Sequence, residues 1–256
     1  MNIVIIGSGN VAYHLGDGLK KAGYHIKQVY SRNKANAIAL ASTLKTEFTD
    51  DLSSIDKNAD LYLVAVSDHA ISSVIASLPS ELPGYVVHCS GATEMSILIR
   101  FTNYGVIYPV QSLSKEVQYD SLDHIPFAIE GNNTVNTEHL LAIMRPVAAQ
   151  VFPCNSSQRL ALHVSAVFVN NFSNALFTIA YNIMKDAELP FDLLKPIILE
   201  TAEKVKNHIP KDVQTGPASR NDLETIEKHL NFISGKPNWV KIYQHLSQEI
   251  SSKKDS

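Results

Sequence analysis

Cysteine is nearly absent from this 256-residue chain: Cys89 and Cys154 are the only two. Two cysteines cannot build a disulfide framework, and neither stands in a CxxC or paired Cys/His spacing, so no metal site is expected. A reducing cytoplasm is the simplest home for them. Glycine and proline, 11 of each, are too few for a fibrous or linker-like chain, while 45% hydrophobic content is too high for a disordered one. Charge of one sign is also lacking. Lys and Arg number 22 against 25 Asp and Glu, for a net −3, and the Lys253-Lys254 pair is too short to form a basic block. Without a basic stripe to neutralise phosphates, neither nucleic-acid binding nor membrane-surface binding is expected. The apolar run before Gly7 covers four residues, far short of a signal segment or of the ~20 residues that span a bilayer. No later stretch is expected to approach spanning length, and no repeat period is present. What remains is a globular chain with room for one large domain or two modest ones.

The first half alternates short apolar runs with helical patterns. Strands are expected at residues 2–6, 26–30, 45–48, 60–66, 85–89, 105–108, 126–130 and 150–153. Helices fit residues 10–22, 34–44, 69–78, 94–101 and 137–144. Strands separated by helices imply parallel pairing through crossovers, with helices on both faces of one sheet. After Cys154 the pattern changes. Residues 157–188 contain neither Gly nor Pro and repeat their apolar residues at helical spacing, so one long helix is expected there. Further helices fit 192–207, 221–232 and 237–249. The expected division is therefore a sheet-and-helix domain over 1–154 and an all-helical domain over 155–256.

Gly7-Ser8-Gly9-Asn10-Val11-Ala12 reads G-x-G-x-x-A between a buried strand and a helix. The first Gly permits the tight turn, the second lets backbone approach a pyrophosphate, and Ala12 lets the helix sit close to the sheet. Helix-start N–H groups then face the phosphates. With a second strand about 20 residues on, this is the context of a dinucleotide site. An NAD-type site places Asp or Glu at the end of that second strand; here Ser31-Arg32-Asn33 stands there. Hydroxyl, guanidinium and amide can all donate to a 2′-phosphate that an acid would repel, so NADP is the expected cofactor. A solvated surface role for Arg32 is the alternative.

GSGNVA at 7–12, SRN at 31–33, VSD at 66–68, HCSGA at 88–92, YPVQSLS at 108–114 and TGPASRND at 215–222 together resemble a bacterial family of Rossmann-like NADP-dependent oxidoreductases with an uncharacterised helical C-terminal domain. The likeness runs over nearly the whole chain. In plan it is similar to the deazaflavin-dependent NADP oxidoreductases, pyrroline-5-carboxylate reductase, ketopantoate reductase and the 6-phosphogluconate dehydrogenase group. It implies a Rossmann-type, doubly wound, mostly parallel sheet followed by a helical domain like the C-terminal domain of 6-phosphogluconate dehydrogenase. It also implies a homodimer, and a long interdomain helix that faces the nicotinamide.

Ligands bind outside the carboxyl ends of the strands in such sheets, which singles out several polar residues. Val66, Ser67 and Asp68 follow one strand, and the resemblance places them along the cofactor; Asp68 can also cap a helix beginning at His69. Ser90 follows Cys89 near the expected nicotinamide position and is a candidate catalytic residue, although it can equally cap a turn. Of His88 and Cys89, which point to opposite faces, Cys89 reads as a buried structural thiol. Tyr108 ends its strand where the relatives often carry His-Pro, and it is a candidate substrate ligand. On the long helix, His163, Val167, Asn170, Asn171 and Asn174 are spaced to share one side. His163 could move the proton that accompanies hydride transfer, and Asn171 could hold a carbonyl. No lysine lies between Arg159 and Met184, so the lysine mechanism of the hydroxyacid dehydrogenases does not carry over. Thr215 and Arg220 lie on a loop between helices, where Arg220 could clamp a carboxylate or phosphate of a small-molecule substrate. The expected activity is hydride transfer between NADP(H) and a small, anionic carbonyl, imine or alcohol. Alternatives are a nicotinamide-binding sensor that never turns over and a flavin or deazaflavin reductase.

Overall fold

β1, Asn2–Ile6, carries four successive β-branched residues, Ile3 to Ile6, buried on both sides, which is what a central strand of a parallel sheet requires. The computed structural model describes residues 1–252; Lys253 and Lys254 lie outside them. Beside β1 run β2 (His25–Tyr30), β3 (Glu47–Thr49), β4 (Leu61–Val64), β5 (Tyr85–His88), β6 (Tyr104–Pro109), β7 (Phe127–Gly131) and β8 (Val151–Pro153). They form one eight-stranded sheet in the order β3-β2-β1-β4-β5-β6-β7-β8. All neighbours are parallel except β6 and β7, which pair antiparallel from Gly105 opposite Gly131 to Pro109 opposite Phe127. The alternation of strands and helices does not reveal this exception, because residues 110–126 connect the two strands without any helix.

The period of two along each strand divides the core. Ile3, Ile5, Leu61 and Leu63 face one layer, where α1 (Asn10–Lys21), α2 (Lys34–Leu44) and α4 (Thr134–Met144) bring Leu15, Leu44 and Met144. Val4, Ile6, Tyr62 and Val64 face the other, against Ile71 and Ile75 of α3, Asp68–Ser77. Each such aliphatic side chain contributes about 1.5–3 kcal/mol on burial, so the sheet is a rigid platform. The strand order reverses between β1 and β4. Their carboxyl ends therefore diverge and open a crevice.

Beyond β8 the chain is helical from Ser156 to Asp186: α5 (Ser156–Ala166), a π-helical turn (Val167–Phe172) and α6 (Ser173–Asp186). Asn155 and Gln158 form a reciprocal capping box at its start. By length and composition this segment is apolar enough to cross a membrane, contrary to the expectation that no stretch approaches that length. Then follow α7 (Lys195–Asn207), α8 (Pro217–Arg220), α9 (Leu223–Phe232) and α10 (Pro237–Ser252). The chain forms two compact units, Met1–Asn171 and Phe172–Ser256. Helical structure thus starts where Gly and Pro disappear, while the first unit reaches on to Asn171. Arg159, ion-paired with Glu130 of β7, and Leu162, packed in the cluster of Val106, Tyr108 and Ala128, hold α5 to the sheet. The second unit packs α6, α9 and α10 around an apolar cavity of about 340 Å³ lined by Leu176, Ile183, Phe232, Trp239 and Leu246 among others.

Candidate functional site

The crevice at the β1/β4 ends is a cavity of about 660 Å³ lined by Gly7 to Val11, Ser31 to Asn33 and Ala65 to Asp68. Every residue expected to hold a dinucleotide is on its wall. Gly7 has φ +128°, and a Cβ there would lie 2.1 Å from the Ala65 carbonyl oxygen, so only glycine fits the turn. At Gly9 a Cβ would meet nothing within 4 Å, which leaves open space above the turn where phosphates are expected. The first-turn N–H groups of α1 have no intrahelical acceptor and no acidic side chain among them, as an anion site needs. The residues present therefore fit a dinucleotide.

At the far end of this cavity Ser31 is buried and its hydroxyl pairs with that of Ser8 at 2.7 Å, tying the β2 end to the phosphate turn. Arg32 is exposed and has no ion-pair partner among the described residues. Asn33 caps α2 by accepting from Asn36 N–H at 3.1 Å, which leaves its amide N–H groups to donate. Asp68 does not cap a helix that starts at His69. The helix begins at Asp68, with Ser67 in the cap position, so the Asp68 carboxylate is an acid in the first turn, beside the cavity. The cavity wall also includes Cys89, read from sequence as a structural thiol, and Asn36, Ser73, Ser77 and Leu113, none of them singled out from sequence. The i, i+4 pair of small hydroxyl residues on α3 was the available signal for two of these.

A second cavity, of about 460 Å³, adjoins the β6 end and α5. Tyr108, His163, Asn170 and Asn171 line it, together with Gln111, Ser112 and Ser165. Tyr108 Oη and His163 Nδ1 are 3.0 Å apart, with the rings edge to face. Both pack on Gly91, where a Cβ would lie 2.7 Å from His163 Nδ1 and 2.8 Å from Tyr108 Cζ. Gly91 stands two residues beyond Cys89 of the first cavity, so a single short segment, 89–91, runs from the wall of the first to two side chains that line the second. Burial pushes the Tyr108 phenol up from its ordinary value, with the Asp68 carboxylate adding to the shift and the Arg159 guanidinium opposing it. Tyr108 is therefore a protonated donor at neutral pH.

The uniform helical stripe expected from 163 to 174 is interrupted. The π turn shifts the phase at Val167, so Asn170 and Asn171 line the cavity with His163, whereas Asn174 belongs to α6 of the second unit. Thr215 and Arg220 are likewise in the second unit, where Asn221 takes a left-handed conformation and Asp222 caps α9.

Residues that sequence reading passed over hold this dyad in place. Arg159, 1% exposed, forms an ion pair with Glu130 and donates to the Thr93 carbonyl (2.7 Å) and to Ser156 Oγ (3.2 Å). Ser156 in turn donates its N–H and hydroxyl to Glu130. This network fastens the first turn of α5, and with it His163 one turn on, to β7 and to the loop after Ser90. Ser90 Oγ accepts from the N–H groups of Ala92 (3.2 Å) and Thr93 (2.9 Å), so it shapes the turn that carries Gly91. His88 is fully buried and held neutral, its pKa lowered to about 4 by burial and by the Arg159 charge. Cys89 is buried with its thiol pushed far up, an inert thiol as expected. Among the described residues no cluster could hold a metal ion.

Residues 2–88 match a family described as NADP oxidoreductase, coenzyme F420-dependent, and residues 125–250 match a domain of unknown function, DUF2520. The crystal structure of a "putative NADP oxidoreductase" from Bacteroides fragilis is 36% identical over 98% of both chains, with a TM-score of 0.88. A Thermotoga maritima protein is 22% identical over 98% of this chain and 99% of its own, TM-score 0.78. 1-Pyrroline-5-carboxylate reductase from Streptococcus pyogenes is 12% identical over 98% of each chain, TM-score 0.65. These last two show the shared Rossmann-like fold. No curated protein matches.

Proposed function

The chain belongs to the family of NADP oxidoreductases that join this Rossmann domain to a DUF2520 domain, and from that premise we propose that it transfers a hydride between NADP(H) and a small carbonyl, imine or alcohol. The observation that carries the reading is the Tyr108–His163 pair packed on Gly91, two residues from the wall of the dinucleotide cavity. Bound there, a nicotinamide supplies or takes the hydride. Gly7 to Val11 would hold the pyrophosphate with backbone N–H groups, Val66, Ser67 and Asp68 would line the ribose side, and Ser31, Arg32 and Asn33 would donate to a 2′-phosphate.

The protein's own part in the chemistry is the proton. Tyr108 gives its phenolic proton to the developing alkoxide or amine, and His163, hydrogen-bonded through Nδ1, stabilises the resulting phenolate and carries a replacement proton from the second cavity. In the oxidative direction the same pair works in reverse. Asn171 orients the substrate's carbonyl or imine, and Ser90 acts by shaping the turn beneath. Thr215 and Arg220 are the candidate ligands for an anionic substrate group; Arg220→Lys then raises KM far more than it alters NADPH affinity.

A second copy of the chain is the expected partner. The second unit exposes Ile197, Leu199, Ile209 and Phe232 at 60–73%, an apolar surface that a homodimer would cover. Sedimentation at micromolar concentration as a monomer would sink that part. A soluble cytoplasmic location accords with two free thiols and a nicotinamide cofactor.

Titrating NADPH into the protein, then following its oxidation against a panel of ketones and cyclic imines, tests the function. Tight binding with no turnover in wild type would favour a sensor instead.

A further inference from the structure

The strap after β6, residues 110–126, runs back across the start of α1. Asn10 Nδ2 donates to the Leu113 carbonyl (2.8 Å), His14 Nε2 donates to the Ser114 carbonyl (2.8 Å), and Lys115 Nζ donates to the Ser8 carbonyl (2.7 Å). Leu113, 8% exposed, forms part of the wall of the dinucleotide cavity. The strap thus brings a cation to the middle of the G-S-G turn, from more than 100 residues away in sequence.

An ammonium has three donors and no acceptor, and the Ser8 carbonyl takes one of them. Lys115 has no ion-pair partner within 4 Å among the described residues; the neighbouring Glu116 carboxylate is engaged by the Ser114 hydroxyl and feels the Lys115 charge only as the smallest of the influences on its pKa. The turn itself offers an anion only backbone N–H groups and the α1 dipole, which together carry about half a charge. A pyrophosphate brings about two. Arg32 is the cation on the wall of this cavity and stands at the β2 end, where the 2′-phosphate is expected; Lys115 is not on that wall but reaches the turn from the strap, through the Ser8 carbonyl.

We propose that Lys115 is a pyrophosphate ligand, clamping the dinucleotide against the turn from the strap side. The proposal rests on the dinucleotide reading above and adds a charged side chain to a pyrophosphate turn that otherwise offers backbone N–H groups. Because the pyrophosphate is common to both nicotinamide cofactors, Lys115 supplies affinity without selecting between them.

Dissociation constants for NADPH, NADH and adenosine 2′-monophosphate, measured by calorimetry in wild type and three variants at low and high salt, test this. Lys115→Met and Lys115→Gln should each weaken NADPH and NADH alike, by about tenfold, with adenosine 2′-monophosphate and the melting temperature unchanged. Lys115→Arg should restore most of the loss, and the uncharged variants should show a shallower salt dependence than wild type. Unchanged dinucleotide affinity in Lys115→Met overturns the role and leaves the cofactor site standing. Full recovery in Lys115→Gln overturns it too, since an amide could replace the tie to Ser8 but not the charge. A loss confined to NADPH would overturn it in favour of 2′-phosphate recognition. A wild-type chain that binds neither dinucleotide removes the underlying reading and this proposal with it.

Discussion

The two cavities of the first unit are made of different materials. The dinucleotide cavity is shaped by backbone: a positive-φ glycine, a helix start and a strand end, all within a few residues of the carboxyl ends of β1 and β4. The second is shaped by side chains, with Tyr108 from β6 and His163 and Asn171 from the long helix brought together and fastened by Arg159. A cavity made of backbone is as stable as the sheet beneath it. One made of side chains can lose its chemistry through a single distant substitution while the first still binds its ligand.

Arg159→Met is the strongest way to separate the two. It leaves the Glu130 carboxylate without its buried partner, and we expect a loss of about 3–5 kcal/mol in urea unfolding. NADPH affinity measured below the unfolding transition should stay within about twofold. A parallel loss of NADPH affinity would mean that the cavities are one mechanical unit.

His88 ends the strand that leads into segment 89–91. Its folded pKa, about 4, lies below the unfolded value of about 6.5. The unfolded chain therefore binds the extra proton first. Stability is fully present above pH 6.5 and falls as the pH drops toward 4, by about 3 kcal/mol in all. Urea midpoints across that window should show this slope, and His88→Gln should flatten it by one proton.

Tyr108→Phe removes one hydroxyl from the second cavity and should slow turnover about 100-fold, with the NADPH dissociation constant unchanged. His163→Asn should shift the pH profile of turnover; an identical profile would remove His163 from the proton path. The smallest of these effects sharpens the comparison from the other side. Arg32→Gln changes the one exposed guanidinium of the backbone-built cavity and should weaken NADPH about tenfold while sparing NADH. Equal affinities of wild type for the two cofactors would make Arg32 a solvated surface charge.

The same difference in materials explains what could be read from the residues alone. Gly7 to Val11 and Ser31 to Asn33 are placed by local geometry, so spacing reveals them, and the structure gathers all of them on one wall. Strand periodicity likewise reveals the parallel part of the sheet. The β6/β7 reversal escapes, because a 17-residue connection without regular structure leaves no crossover helix to read. Tyr108 and His163 were separate candidates, 55 residues apart, and only the fold makes them a pair. Arg159 looks like a surface residue of an amphipathic helix until Glu130 is found beside it. The π turn has no sequence period of its own, so the amide stripe could be expected only at α-helical phase.

The most direct test of the central claim is a single-turnover experiment with NADPH in complex with the enzyme, mixed with each ketone or imine of a panel and followed by nicotinamide absorbance in wild type and Tyr108→Phe. The account predicts oxidation by at least one substrate in wild type, slowed about 100-fold in Tyr108→Phe at unchanged NADPH affinity. Oxidation at the same rate in both proteins, or tight NADPH binding with no oxidation by any member, would contradict it.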